Sequence, residues 1–339
     1  MATLRDRLDR PLTDLRISVT DRCNFRCSFC MPAEQEYEFL GRAEILTYEE
    51  VARLARVFAG LGVTKIRLTG GEPLVRRDLD TLVRMLRAVD GIEEIALTTN
   101  GMLLADRAEE LVAAGVDRVT VSVPTLDPET FRRTSGGRGR LEPVLAGIEA
   151  ARRAGLTPVK INSVVVRGIN DHEILELAER FRGPGTVLRF IEYMDVGTLN
   201  RWEPDKVVPG REIVERIHQA FPLEAVGRRR PQDPATRYRY LDGNGEIGVI
   251  ASVTEPFCGD CSRGRLSAEG RLYTCLFASE GHDLKTPLRA GATDPELADL
   301  LRDIWSRRTD RYSEERLVRL QAGKPAPERE RVEMFRVGG

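Results

Sequence analysis
The chain has 339 residues, 41% apolar and 31% charged, enough for one barrel-sized domain with an appendage or for two ordinary domains. Lys+Arg is 52 against Asp+Glu 53, a net charge of −1. That balance lacks the broad positive field of a nucleic-acid or membrane-surface binder and leaves room only for a local basic pocket.

Leu15–Val19 is the first predicted strand. Thr47, with Glu50 three residues on, has a capping-box pattern and opens a helix that closes near Gly60 and Gly62. A strand over Lys65–Thr69 is followed by a helix over Leu79–Ala88, and Glu94–Thr99 by a helix over Asp106–Ala114. Arg118–Val123 leads to helical segments around Glu129–Arg133 and Glu142–Ala154. Val159–Val166 then leads to Glu173–Phe181, and Val187–Tyr193 to Glu212–Ala220. This strand–helix rhythm is that of parallel α/β folding. Six units rather than eight predict an incomplete (β/α)6 TIM-type barrel over residues 1–225, open on one side, with its working groups at the C-terminal strand ends.

From about Val226 the pattern changes to a smaller α+β unit, expected over residues 226–339. Arg228-Arg229-Arg230-Pro231 reads as a solvated linker. Tyr238–Leu241 and Ile247–Ser252 flank Asp242-Gly243-Asn244-Gly245, a strong hairpin signal. Leu266 and Arg271–Leu276 form a second hairpin pattern around Ala268-Glu269-Gly270. Helices are expected near Glu296–Arg307 and Glu314–Leu320.

No apolar run approaches the ~20 residues of a membrane span, and the charged start of the chain has no apolar leader. A cytoplasmic, reducing setting is therefore expected, in which cysteines serve as metal ligands or catalytic groups rather than disulfides. All six cysteines fall into two triads: Cys23, Cys27 and Cys30, directly after the first strand, and Cys258, Cys261 and Cys275. Three thiolates can hold three irons of a cubane cluster, leaving a fourth iron open to a small molecule. A structural zinc site usually takes four ligands, and His172, His218 and His282 are all distant in sequence from the first triad.

The Cys23-x-x-x-Cys27-x-x-Cys30 spacing resembles the signature of the radical S-adenosylmethionine superfamily. Thr69-Gly70-Gly71-Glu72-Pro73, at the end of the second strand, resembles its second mark. There glycines permit close backbone approach, and Glu72 or exposed carbonyls can accept bonds from an ammonium.

Further marks narrow the resemblance. They are Asp14-Leu-Arg-Ile-Ser-Val-Thr-Asp-Arg-Cys23, Cys30-Met-Pro32, Lys65-Ile-Arg-Leu-Thr-Gly-Gly-Glu-Pro73, Thr98-Thr-Asn-Gly101, the second triad and the terminal Gly338-Gly339. Together they resemble the GTP 3′,8-cyclase family of molybdenum cofactor biosynthesis from about residue 14 to the end.

The resemblance implies two [4Fe-4S] clusters, one on each triad, with S-adenosylmethionine on the open iron of the first. It implies that Phe29, Gly71, Glu72, Ser122 and Met194 line the S-adenosylmethionine site. Arg16, Arg67, Thr98, Lys160, Arg263, Gly264 and Arg265 would contact GTP, with guanine at the second cluster. Arg265, Gly338 and Gly339 would act in catalysis, the tail threading into the active site. The implied product is (8S)-3′,8-cyclo-7,8-dihydroguanosine 5′-triphosphate. A homodimer, an electron donor such as flavodoxin or ferredoxin, and a functional link to cyclic pyranopterin monophosphate synthase are implied as well.

The residues themselves agree on charge. Arginine forks suit phosphate oxygens, and with no Walker-type loop present, a triphosphate has to be met by side chains. Two departures stand out: Pro124 where the family leads one to expect an acid, and Phe29 in place of a tyrosine. Two other readings fit parts of the pattern. One is a peptide-modifying radical enzyme with an auxiliary cluster, and the other is a non-catalytic zinc or iron–sulfur scaffold.

Overall fold
The computed structural model describes residues 3–327 and 330–338. Six parallel strands run in sequence order through the first two-thirds: β1 (Asp14–Ser18), β2 (Lys65–Thr69), β3 (Glu94–Thr99), β4 (Arg118–Ser122), β5 (Val159–Val165) and β6 (Thr186–Glu192). The helices between them are α1 (Tyr48–Gly60), α2 (Leu79–Arg87), α3 (Ala108–Ala114), α4 (Pro128–Thr134), α5 (Leu141–Arg153) and α6 (Ile174–Arg180). Helix α7 (Gly210–Ala220) follows β6. Local chemistry sets their starts. At α1 the Thr47 hydroxyl accepts from the Glu50 amide at 3.2 Å and Glu50 accepts from the Thr47 amide at 2.7 Å. At α4 the Asp127 carboxylate caps the Thr130 amide ahead of Pro128.

Alternation along the strands decides the layers. Leu15, Ile17, Ile66, Leu68, Ile95 and Leu97 are buried under the helices, in one continuous core. The intervening residues, such as Arg16, Arg67 and Thr98, turn to the concave face.

The later strands extend this same sheet on both flanks. Strands β7 (Leu223–Gly227), β8 (Thr236–Tyr240) and β9 (Glu246–Ile250) join through β9, parallel to β6. Strands β10 (Arg263–Leu266), β11 (Arg271–Tyr273) and β12 (His282–Asp283) join through β10, parallel to β1. The order is β12-β11-β10-β1-β2-β3-β4-β5-β6-β9-β8-β7, so the sheet is curved but not closed, as a partial TIM barrel requires. Both expected hairpins form, as antiparallel pairs β8–β9 and β10–β11. The expected linker at Arg228–Pro231 is the turn between β7, a strand with no clear sequence signal, and β8. Helices α8 (Lys285–Arg289), α9 (Asp294–Ser306), α10 (Tyr312–Gln321) and the short α11 (Met334–Val337) complete the chain. No described helix is long and apolar enough to cross a membrane.

Candidate active site
Strand direction separates the two triads. Cys23 follows the last residue of β1, so the first triad lies at the C-terminal mouth of the barrel. Cys261 precedes β10, which runs parallel to β1, and Cys275 follows the antiparallel β11, so the second triad lies at the opposite mouth. Four strand steps from Asp14 to Ser18 put the two mouths roughly 13 Å apart at the least.

At the C-terminal mouth a cavity of about 200 Å³ is lined by the three thiols and by all five residues expected at the S-adenosylmethionine site: Phe29, Gly71, Glu72, Ser122 and Met194. Pro124 lines it too, its carbonyl accepting from Asn170 Nδ2 at 2.6 Å. The glycine pair has a reason beyond ligand approach. A Cβ on Gly70 would overlap the Thr20 carbonyl, and one on Gly71 would lie 2.6 Å from the Arg22 carbonyl carbon. The cysteine loop comes so close because Gly71 N donates to Thr20 O and Glu72 N to Arg22 O, both at 2.9 Å.

Glu72 is occupied by protein donors. Its carboxylate accepts from Leu74 N at 3.0 Å, Thr99 Oγ1 at 2.7 Å and Asn100 N at 2.7 Å. Burial pushes its carboxyl up to about 7 against the pull of these bonds. Asn100 in turn reaches the Cys23 sulfur at 3.9 Å and Asn24 Oδ1 at 2.7 Å. Asn100 belongs to the Thr98–Gly101 motif, but its contact with a cysteine sulfur 77 residues away has no signal in the sequence.

The thiols of this triad are pushed up, Cys23 to about 11, chiefly by burial; for Cys27 and Cys30 the neighbouring cysteines add to it. Three half-buried thiols, two of them raised further by their neighbours, suit a shared metal centre that would hold them together as thiolates. All six cysteines are free, which sets the disulfide reading aside. The first triad and its cavity therefore fit an iron–sulfur cluster with a small-molecule ligand.

At the other mouth, burial works to raise the Cys261 thiol, but Arg263 and Arg308 bring it down to about 6. Arg263 Nη2 donates to Cys261 Sγ at 3.3 Å. A buried ion network holds the loop beneath: Arg10 and Arg308 meet the Asp6 carboxylate at 2.6 and 3.3 Å. Arg10 also donates to the Cys258 carbonyl at 2.9 Å, and Arg308 to the Cys261 carbonyl at 2.8 Å. Sequence reasoning singles out none of Asp6, Arg10 and Arg308. Asp6 and Arg10 precede the first strand and meet this loop only through the fold.

Between the mouths the lumen is cationic. Pairing puts Arg16 beside Arg67 and Arg265, Thr98 beside Thr120, Thr120 beside Lys160, and Asn162 beside Arg189. Arg67 donates to Thr98 Oγ1 at 3.1 Å, and Arg189 to Thr120 Oγ1 at 3.3 Å. Near the second mouth Lys65 is neutralised by Asp14 at 3.4 Å and Glu94 at 3.5 Å.

Among the described residues no carboxylate lies within salt-bridge distance of Arg16, Arg67, Lys160, Arg189 or Arg265. Burial first, and neighbouring cations second, bring Lys160 down to about 7, Arg189 to about 9 and Arg265 to about 10. Five clustered cations, of which Arg67 and Arg265 are buried, have the chemistry that suits phosphate oxygens. Arg189 escapes sequence reasoning because an isolated arginine on a strand carries no signal of its partners. Gly264 turns its Cα toward Leu12 and Leu15 in the core, so only its backbone faces the lumen.

The tail enters this lumen. Gly338 has φ +67°, and its carbonyl accepts from Arg265 Nη1 at 2.5 Å. Gly339 lies outside the described residues. Met334 of α11 lines the cavity at the first triad.

The chain is similar to known proteins over its whole length. Residues 17–181 match the Radical SAM superfamily and residues 186–314 match Molybdenum Cofactor Synthesis C. The GTP 3′,8-cyclase of Xanthomonas axonopodis pv. citri is 52% identical, covering 100% of this chain and 99% of that protein. That of Aquifex aeolicus is 47% identical over 99% of this chain and 100% of its own. Among solved structures, Streptococcus suis SuiB bound to S-adenosylmethionine superposes with TM-score 0.57 at 16% identity. The match covers 89% of this chain and 68% of that one, a likeness of fold. The chain belongs to the GTP 3′,8-cyclase family of radical S-adenosylmethionine enzymes.

Proposed function
We propose that the chain converts GTP to (8S)-3′,8-cyclo-7,8-dihydroguanosine 5′-triphosphate, joining ribose C3′ to C8 of guanine. The observation that carries this reading is the lumen of Arg16, Arg67, Lys160, Arg189 and Arg265, with no carboxylate partner among the described residues and a cysteine triad at each end. A peptide has no need of so many clustered cations. A triphosphate of about four negative charges does.

When bound, the first cluster and S-adenosylmethionine supply one electron and a 5′-deoxyadenosyl radical. Cys23, Cys27 and Cys30 would hold that cluster. The cavity walls at Phe29, Gly71, Ser122 and Met194 orient the cofactor and exclude water. Glu72 fixes Thr99 and Asn100 beside Cys23, and its second oxygen, with Asn100 N as the one protein donor among the described residues, keeps an acceptor site for the cofactor ammonium. Cys258, Cys261 and Cys275 would hold a second cluster facing the base, with Arg263 beside it and Thr98 between the two sites. Arg265 would hold the tail carbonyl and the substrate in one register.

The same reading takes a homodimer in the cytoplasm, an acidic one-electron carrier such as flavodoxin or ferredoxin, and transfer of product to cyclic pyranopterin monophosphate synthase. The test is oxygen-free, reduced enzyme with S-adenosylmethionine and GTP deuterated at C3′. Deuterium in 5′-deoxyadenosine together with cyclised product supports the reading. Cofactor cleavage without deuterium transfer overturns it.

A further inference from the structure
We propose that Asp195 is a positioning residue that, through Arg331, holds the C-terminal tail so that Met334 closes the first cavity and Gly338 rests on Arg265. The inference deepens the cyclase reading and rests on it.

Asp195 directly follows Met194 beyond the end of β6, and its side chain is 2% exposed. A carboxylate so buried is costly unless it is paired. It is paired three times over: with the Arg316 guanidinium, the Tyr312 hydroxyl, and Arg331 Nη1 at 2.7 Å. Arg331 also donates to the Asp195 backbone carbonyl. Arg316 uses its other terminal nitrogen on the Ser252 carbonyl at 2.6 Å.

The three partners differ in what they anchor. Tyr312 and Arg316 belong to α10 and tie the body of the C-terminal unit to β6. Arg331 belongs to the tail. Two residues further on, Glu333 accepts from the Thr198 amide and hydroxyl, both at 2.8 Å, on the loop that follows Asp195. The tail is thus fastened at two points to one short loop just before it turns into the barrel.

Beyond those two fasteners the tail touches each part of the site. Met334 lines the cavity together with Met194. The Phe335 ring meets Tyr37 edge-on at 5.6 Å. Gly338 N closes the last turn onto the Met334 carbonyl at 2.9 Å, and its own carbonyl reaches Arg265. On the other side, Val196, Phe277 and Tyr312 form a small separate core with Met194, Met334 and Cys275 packed on it. Asp195 therefore stands where the first cavity, the second triad and the tail meet.

Arg331 allows the positioning role to be separated from plain stability, because Asp195 keeps Arg316 and Tyr312 when Arg331 is changed. In Arg331→Gln, both clusters should be retained by iron content and electron paramagnetic resonance. Amide exchange over residues 331–338 should rise about tenfold or more, and kcat should fall by about tenfold with a smaller change in KM for GTP. Arg331→Lys should restore most of both.

If Arg331 acts through the tail, adding Arg331→Gln to Gly338→Ala should cost less than about twofold further, because the two changes break one unit. Unaltered tail exchange in Arg331→Gln, or fully additive losses in the double variant, would overturn the proposal. Absence of cyclised product from the unaltered enzyme would count against the cyclase reading alone, since the exchange measurement reads the tail without turnover.

Discussion

Arg265 and Gly338 are 2.5 Å apart, guanidinium to carbonyl, although 73 residues separate them. The arginine lies on β10, beside Arg16 of β1, so the tail carbonyl is the polar partner given to one member of a crowded cationic lumen. Gly338→Ala tests whether this seat matters. A Cβ there would overlap Thr69 Cγ2, and the φ of +67° is one that alanine adopts at a cost of roughly 1 kcal/mol or more. The variant should fold with full cluster content and at most a small loss of stability, yet lose on the order of a hundredfold in cyclisation rate, read by product assay beside thermal melting.

Gly71→Ala should act on the first cluster. The added methyl meets the Arg22 carbonyl group and lies 2.9 Å from the Asp21 carbonyl oxygen, all backbone of the cysteine loop. The loop has to shift, and Cys23 with it. Iron should fall from about eight to about four atoms per chain, with the second cluster intact by spectroscopy. Full iron retention would contradict this.

Lys160 should make nucleotide binding pH-dependent. Burial, then Arg189 and other lumen cations, hold its ammonium down to about 7 in the free protein. A bound triphosphate favours the charged form and raises that value, so above about pH 7 binding must take up a proton and affinity falls as pH rises. Calorimetry in two buffers of different ionisation enthalpy should show close to one proton taken up near pH 8, and none in Lys160→Arg. The sign for stability is opposite. The unfolded chain holds this proton up to about 10.4, so the ligand-free fold gains stability as pH rises above 7.

Arg308→Met should damage the second triad from below. It removes one of the two guanidiniums on buried Asp6 and the donor to the Cys261 carbonyl. Breaking a buried charge network costs about 3 kcal/mol, seen as a lower denaturation midpoint. The Cys261 thiol loses one of the cations that bring it down, so iron at the second site should fall while the first cluster's signal persists.

Contact range decides how much of this was legible in the sequence. The six βα units could be read because alternation within a strand and a Thr47–Glu50 cap are local. The two triads could be read because spacing is local too. That they occupy opposite mouths could not, since it depends on β10 lying parallel to β1 across some 250 residues, a pairing with no sequence signal. The same holds for Asp6 and Arg10 beneath Cys258, and for Arg189, whose meaning comes from Thr120 and Asn162 on other strands. Gly70 and Gly71 were legible as a tight loop, but the backbone they admit is that of residues 20–22.

The strand order ends at β12 on one side and β7 on the other, and among the described residues no strand pairing joins the two edges. A sheet with two free edges can spread or narrow there without breaking a ladder hydrogen bond, so the bore of the lumen is governed by what packs around the sheet and not by strand pairing alone.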